Sequence, residues 1–298
     1  MTRHIPAILL LSLALAQRAS TEWLTFSGDA ARTGWARGEK FLARDTVARL
    51  ELKWKAQLDN VPIEMASLTA PLVAENFATP RGFKDYVYVA GSSDNIYALD
   101  VDSGKIVWQR HFQVDLKAKR APSWLCPNSL NATPVIDKPN RMLYMITSDG
   151  RLRGLNIVNG EERLPPTPFV PPHSKNWSLN LVDGIIYTTI SQGCGEARSG
   201  VSAINLKDPN RPVTHFYVSI GGGAGIWGRA GAAVGPDGRV YAETGDGVYD
   251  TVAQKFADTV LALTKDLKLA DYYTPSNREY ITKKDLDMGC ISPVVFPF

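Results

Sequence analysis

Four segments of the chain repeat one plan, and that repetition limits the fold more than any other feature. The first, SDNIYALDVDSGKIVWQRHF, spans residues 93–112. Apolar and polar residues alternate, an Asp-Ser-Gly turn follows, and a second run carries Trp108. Alternation around a tight turn is the signature of a β-hairpin. The strand DYVYVAG precedes it and ends at Gly91. The same order returns in RMLYMITSDGRLRGLNIVNGEERL, in GIIYTTISQGCGEARSGVSAINL and in GRVYAETGDGVYDTVAQKFADTVLALT. Tyr88, Tyr144, Tyr187 and Tyr241 occupy matching places, and so do Ala98, Gly154, Ala203 and Ala262 one strand later. A further short strand leads each unit: TAPLVAE, ATPVIDK, SLNLVDG and GAAVGPD. Four strands per unit at a spacing of about fifty residues predict the blades of a β-propeller.

The spacing Ala-x-Asp-x-x-x-Gly-x-x-x-Trp at residues 98–108 has a mechanical meaning. A tryptophan on the outer strand of one blade can dock on the next blade where a glycine allows close approach. Trp54, in LELKWKAQL, is placed to do the same for an outer strand that precedes the first complete unit. After the fourth unit the chain ends in CISPVVFPF, which reads as the inner strand of a fifth. The expected architecture is all-β: about four complete four-stranded blades with partial first and last blades. That makes the chain roughly the N-terminal half of a longer ring.

Charge narrows the function. The formal net charge is only +3, with acids and bases interspersed. A nucleic-acid or membrane-surface role has no electrostatic support. At the N-terminus, Arg3 and His4 precede the apolar run IPAILLLSLALA, which closes on Ala14-Leu15-Ala16. This predicts a signal peptide over residues 1–16 and an exported protein, periplasmic or extracellular. No second apolar run is long enough to span a bilayer. Export gives the three cysteines meaning. Cys126 and Cys194 fall in loops of adjacent blades and are expected to pair, leaving Cys290 free.

The links between the second and third strands are short in the first two units, SSDN and SDGR. In the last two they grow to SQGCGEARSG and TGDGVYDTVAQKFAD. Equivalent links open on one face of a propeller, so the chain projects two long acidic loops to one side. Enlarged loops on a rigid scaffold are where binding and catalysis concentrate. Glu196 and Asp246 sit in these loops, and Trp227 lies just before the strand AGAAVG, near the expected axis.

From about residue 22 onward the repeats resemble the pyrroloquinoline quinone (PQQ) repeat of quinoprotein dehydrogenases and their non-enzymatic relatives, which form eight-bladed propellers. EWLTFSGDAARTGWARGEKFLARDTVARLELKW is similar to the N-terminal stretch of that family. The resemblance implies roles residue by residue. In SQGCGEARSG, Glu196 stands where the family's glutamate binds calcium. Trp227 stands where a tryptophan forms the floor under PQQ. Asp246, in Thr244-Gly245-Asp246, replaces an asparagine that also binds calcium. Asp285 and Asp287, in KKDLDMG, share the place of the catalytic base, and the resemblance does not choose between them. The family's vicinal disulfide is not matched, since SWLCPNSLNATPVID carries the single Cys126. Two functions follow as expectations. One is a PQQ- and calcium-dependent dehydrogenase that oxidises an alcohol or sugar and passes electrons to an acceptor. The other is a non-catalytic propeller of the outer-membrane assembly type that binds a protein partner.

Overall fold

A computed structural model describes residues 22–64, 67–79, 82–221 and 223–296. The expected signal peptide, residues 1–16, lies outside them. Four antiparallel four-stranded sheets follow one another along the chain. Blade 1 comprises β1 (Leu72–Thr79), β2 (Gly82–Gly91), β3 (Asn95–Asp100) and β4 (Ile106–His111). Blade 2 comprises β5 (Val135–Asp137), β6 (Met142–Ile146), β7 (Arg151–Asn156) and β8 (Glu162–Pro168). A two-residue strand, β9 (Lys175–Asn176), adds to β11 in the third sheet. That blade is β10 (Asn180–Val182), β11 (Ile185–Ser191), β12 (Gly200–Asn205) and β13 (Val213–Tyr217). Blade 4 comprises β14 (Ala233–Val234), β15 (Val240–Glu243), β16 (Val260–Leu263) and β17 (Leu269–Tyr273). The first strands β1, β5, β10 and β14 contact one another in turn, which places them on the inside of the arc.

Register confirms the repeat at the level of single residues. Tyr88 pairs with Ala98, Tyr144 with Gly154, Tyr187 with Ala203 and Tyr241 with Ala262. A small residue lies beside each ring because alternate residues share a face, and a bulky neighbour would crowd the blade interface. Tyr88 donates its hydroxyl to Ile157 O of blade 2 at 2.8 Å, and Tyr187 donates to Lys265 O of blade 4 at 2.9 Å. Tyr241 turns instead to Asp237 of its own blade at 2.9 Å. The apolar core is divided accordingly into clusters between blades 1 and 2, 2 and 3, and 3 and 4.

Both tryptophans dock as expected. A Cβ on Gly160 would lie 2.5 Å from Trp108 Cε3, and one on Gly104 would lie 2.5 Å from Trp54 Cδ2. The indole N–H groups donate to Ile157 O at 3.0 Å and to Val101 O at 2.7 Å. Both glycines also hold positive φ, +66° and +69°, which a side chain would strain. The segment around Trp54 is docked on blade 1 but forms no strand.

The N-terminal segment stitches the arc together. Trp23 bridges to Val73 of β1, and Leu24 O accepts from Ile136 N of β5 at 2.8 Å. Thr25 Oγ1 donates to Leu179 O at 2.9 Å, and Ala30 O accepts from Val234 N of β14 at 2.7 Å. Ala31 O then accepts from Val295 N at 2.9 Å, so the final stretch takes the next inner position without forming a strand. Arg32 sits fully buried in this hub. Its guanidinium donates to Thr25 Oγ1, Phe26 O, Leu179 O and Ala232 O. Burial pushes its pKa down to about 9, with Asp29 opposing, so it remains charged at neutral pH.

Candidate functional site

The enlarged links of blades 3 and 4 leave the sheets at the same topological position, after β11 and after β15. They gather different companions. The blade 3 link forms a tight turn at Cys194–Glu196, with Gly193, Gly195 and Glu196 all at positive φ. Cys194 is bonded to Cys126, with Cα atoms 5.3 Å apart and 68 residues of separation, and Cys290 is free. The bridge holds the long β4–β5 connection against this turn. That connection carries Lys119, whose ammonium pairs with Glu196 at 2.5 Å. The Lys119 hydrogen bond and charge, with Arg120 adding to them, hold the Glu196 carboxyl below the usual range. Glu196 therefore faces a basic loop.

The blade 4 link builds a more enclosed corner. Gly245 N donates to Gly225 O at 2.9 Å, Ala224 N to Asp246 O at 2.8 Å, and Asp258 N to Gly245 O at 2.8 Å. These bonds clamp the link to the stretch that carries Trp227. A Cβ on either Gly225 or Gly245 would collide with the Trp227 indole, so both glycines admit the ring at close range. The indole N–H is buried and has no hydrogen-bond partner among the described residues. From the other side comes the short helix α1 (Arg278–Lys283) and a 3-10 turn at Met288–Cys290. A Cβ on Gly289 would fall 2.6 Å from Gly245 N, which shows how closely this turn is laid on the link.

The result is a gathering of acids. Burial raises the Asp246 pKa first, and the charges of Asp287, Asp258 and Asp285 raise it further. Asp285 and Asp287 hold left-handed backbone, φ +53° and +46°, where side-chain-bearing residues are uncommon. Cys290 shares the field: burial and then Asp287 push its thiol up. Arg278 is the cation at this corner, 3.9 Å from Asp258 Oδ2 and stacked 5.0 Å above the Tyr249 ring. The acids share a field without sharing a point. Among the described residues, no three His, Cys, Asp or Glu side chains converge as a ready metal cage.

The structure thus brings together Trp227, Asp246, Asp285 and Asp287. It sets Glu196 with Lys119, and the charges felt most by Asp246 come from other residues. Sequence reasoning missed two members, Asp258 and Lys119. Asp258 had a weak signal, since an acid opens the apolar run DTVLAL where a blade's third strand begins. Lys119 had none, because only the folded path of the β4–β5 connection brings it to Glu196.

Comparison with known proteins agrees with this architecture. Residues 23–164 match the family model for the β-propeller domain of PQQ-type glucose, ethanol and alcohol dehydrogenases. An uncharacterized protein of Rickettsia conorii is 31% identical over 115 residues, which is 39% of this chain and 27% of that protein. A quinohemoprotein alcohol dehydrogenase from Pseudomonas putida HK5 superposes with a TM-score of 0.57 at 17% identity, over 85% of this chain and 40% of the other. A europium-containing methanol dehydrogenase gives 0.54 at 18% identity, over 85% and 49%. At these identities the structural likeness is one of fold. The chain spans about a quarter of the Rickettsia protein and less than half of each dehydrogenase.

Proposed function

We propose, from the premise that this chain is a β-propeller whose residues 23–164 match the propeller model of PQQ-type dehydrogenases, that its corner at blade 4 is a cation and quinone site of the dehydrogenase kind. One observation carries the reading: the blade 4 link, packed through Gly245 against the Trp227 indole and the Met288–Cys290 turn, holds Asp246 in the field of Asp287, Asp258 and Asp285. A carboxylate whose pKa is raised by neighbouring negative charge is relieved by a bound cation, and an all-oxygen donor set suits calcium. The carboxylate donors, with the unpartnered Asp258 oxygen nearby, fit such an ion, and the unpartnered Trp227 N–H suits an acceptor such as a quinone oxygen. Asp246, with Asp285 or Asp287, would hold the ion. In that place calcium would act as a Lewis acid and PQQ would take up the two electrons of an alcohol or sugar oxidation.

The chain's own residues have separable tasks. Trp227 presents an aromatic platform, clamped by Gly225 and Gly245, against which a flat ring can lie. Whichever of Asp285 and Asp287 is not engaged by the cation can accept the substrate hydroxyl proton at a carboxylate oxygen. Glu196 joins only if its pair with Lys119 opens. The Cys126–Cys194 bridge supports an oxidising compartment, in line with an exported protein whose leader is residues 1–16.

Calorimetry with calcium and PQQ tests the reading on wild type, Asp246→Ala and Glu196→Gln. Wild type should bind both, Asp246→Ala should lose at least tenfold in calcium affinity, and Glu196→Gln should change little. Absence of binding by wild type, or unaltered binding by Asp246→Ala, would leave the propeller as a scaffold for a protein partner.

A further inference from the structure

Asp258 has the most unusual surroundings of any acid in the molecule. Its side chain is fully buried. Oδ2 accepts a 2.6 Å hydrogen bond from Thr282 Oγ1. Arg278 Nε lies 3.9 Å from the same oxygen, beyond hydrogen-bond reach. Oδ1 accepts no hydrogen bond and Arg278 Nε donates none, although both atoms are buried among the described residues. Arg278 directs a terminal nitrogen to Gly247 O at 3.4 Å and its plane to Tyr249. A buried carboxylate is costly unless it is paired and fully hydrogen-bonded. This one has only a long ion pair with Arg278 and one unsatisfied oxygen, so its burial is incompletely compensated.

Its connections show what it could serve. Thr282 and Arg278 both belong to α1, and Asp258 belongs to the blade 4 link, where its N–H is fixed on Gly245 O beside Asp246. Asp285 N in turn donates to Thr282 O at 3.2 Å, so the residue that grips Asp258 also leads into the Asp285–Asp287 turn. A single carboxylate thus joins the loop of Asp246 to the segment of Asp285 and Asp287.

We propose that Asp258 is a positioning residue of the cation site. It ties α1 to the blade 4 link through Thr282, which sets Asp285 and Asp287 beside Asp246. Its negative charge, opposed by Arg278, strengthens the field that draws a cation there. The proposal rests on the reading of this corner as a cation site. A purely structural role for Asp258 would account for the tie and not for the charge effect.

Two measurements on the full chain separate these. Asp258→Asn keeps an acceptor for Thr282 and removes the charge, Asp258→Ala removes both, and Arg278→Gln removes the opposing cation. In hydrogen exchange, Asp258→Ala should speed the Ile281 amide of α1 and the Lys284 amide that caps it by at least about tenfold, with Asp258→Asn near wild type. In titration with terbium(III), read by tryptophan-sensitised luminescence, Asp258→Asn should weaken binding about three- to tenfold and Arg278→Gln should strengthen it by a similar factor. Unchanged protection of α1 in Asp258→Ala overturns the tie. Terbium affinities that do not move, or that move in the same direction in the two charge variants, overturn the field. Wild type that binds no terbium removes the cation reading and the field together, and the exchange data then decide the tie alone.

Discussion

The junction between blades 1 and 2 and the corner beside Trp227 each centre on a tryptophan and a glycine, yet they treat polar atoms in opposite ways. At the junction, Tyr88 Oη and Trp108 Nε1 both donate to Ile157 O, at 2.8 and 3.0 Å, and the two rings lie 5.9 Å apart. Nothing polar is left over on either ring. At the corner, Trp227 Nε1, Asp258 Oδ1 and Arg278 Nε are buried with no hydrogen-bond partner among the described residues. Native proteins rarely leave such groups unpaired without a reason, and a ligand is one. The junction is a device for holding blades together, repeated because the fold repeats. The corner departs from the repeat, and the departure marks where function is proposed.

The largest expected effect falls on the junction. Trp108→Ala should cost about 3–5 kcal/mol of stability in denaturant unfolding, by the lost burial and the cavity left against Gly160. It should leave terbium affinity at the corner unaltered under native conditions. A variant that lost terbium binding while still folded would break the separation between scaffold and site.

Much of the scaffold was legible in the residues themselves. Tyr88, Tyr144, Tyr187 and Tyr241 take equivalent register positions because strand alternation and turn residues act locally, and local rules can be read along the chain. The docking of Trp54 and Trp108 followed from the fixed spacing of Gly and Trp, and the Cys126–Cys194 bridge from adjacent loops. The corner was legible only as an order of residues. Which acids meet depends on how a sixteen-residue link, Thr244–Thr259, folds against α1, and no periodicity governs that. Glu196 and Asp246 were expected to share one ion; the pairing of Glu196 with Lys119 and the charges of Asp287, Asp258 and Asp285 around Asp246 could not be read from the order of residues. The stretch 290–296, expected as an inner strand, bonds Val295 N to Ala31 O and forms no strand among the described residues.

Next in size is the disulfide. Replacing Cys126 and Cys194 together by serine should cost about 2–4 kcal/mol, because the bridge closes a long loop in the unfolded chain. Limited proteolysis should then cut the β4–β5 connection near Lys119 first. Terbium binding at the corner should persist, since Glu196 is already engaged by Lys119. Loss of both together would mean the two links act as one site.

A smaller, pH-dependent effect is expected at the end of β15 in blade 4. Burial alone raises Glu243 from 4.5 to about 7. Below pH 4.5 the group is protonated in both states and adds nothing. Between about 4.5 and 7 the unfolded chain gives up the proton more readily, so stability falls as pH rises, and the loss is complete above 7. Glu243→Gln should flatten this part of the melting-temperature profile and gain most above pH 7. Parallel profiles for the two proteins would show that Glu243 is well solvated, and that this end of β15 differs from the closed junction less than supposed.

Anomalous diffraction from crystals soaked with terbium(III) tests the central claim most directly, because it locates the cation instead of inferring it. The account predicts one strong peak at the corner, within ligand distance of Asp246 and of Asp285 or Asp287, beside the Trp227 indole, with Glu196 still on Lys119. A peak at Glu196 with Lys119 displaced and Asp246 unligated, or no ordered peak on this face at saturating terbium, would contradict it.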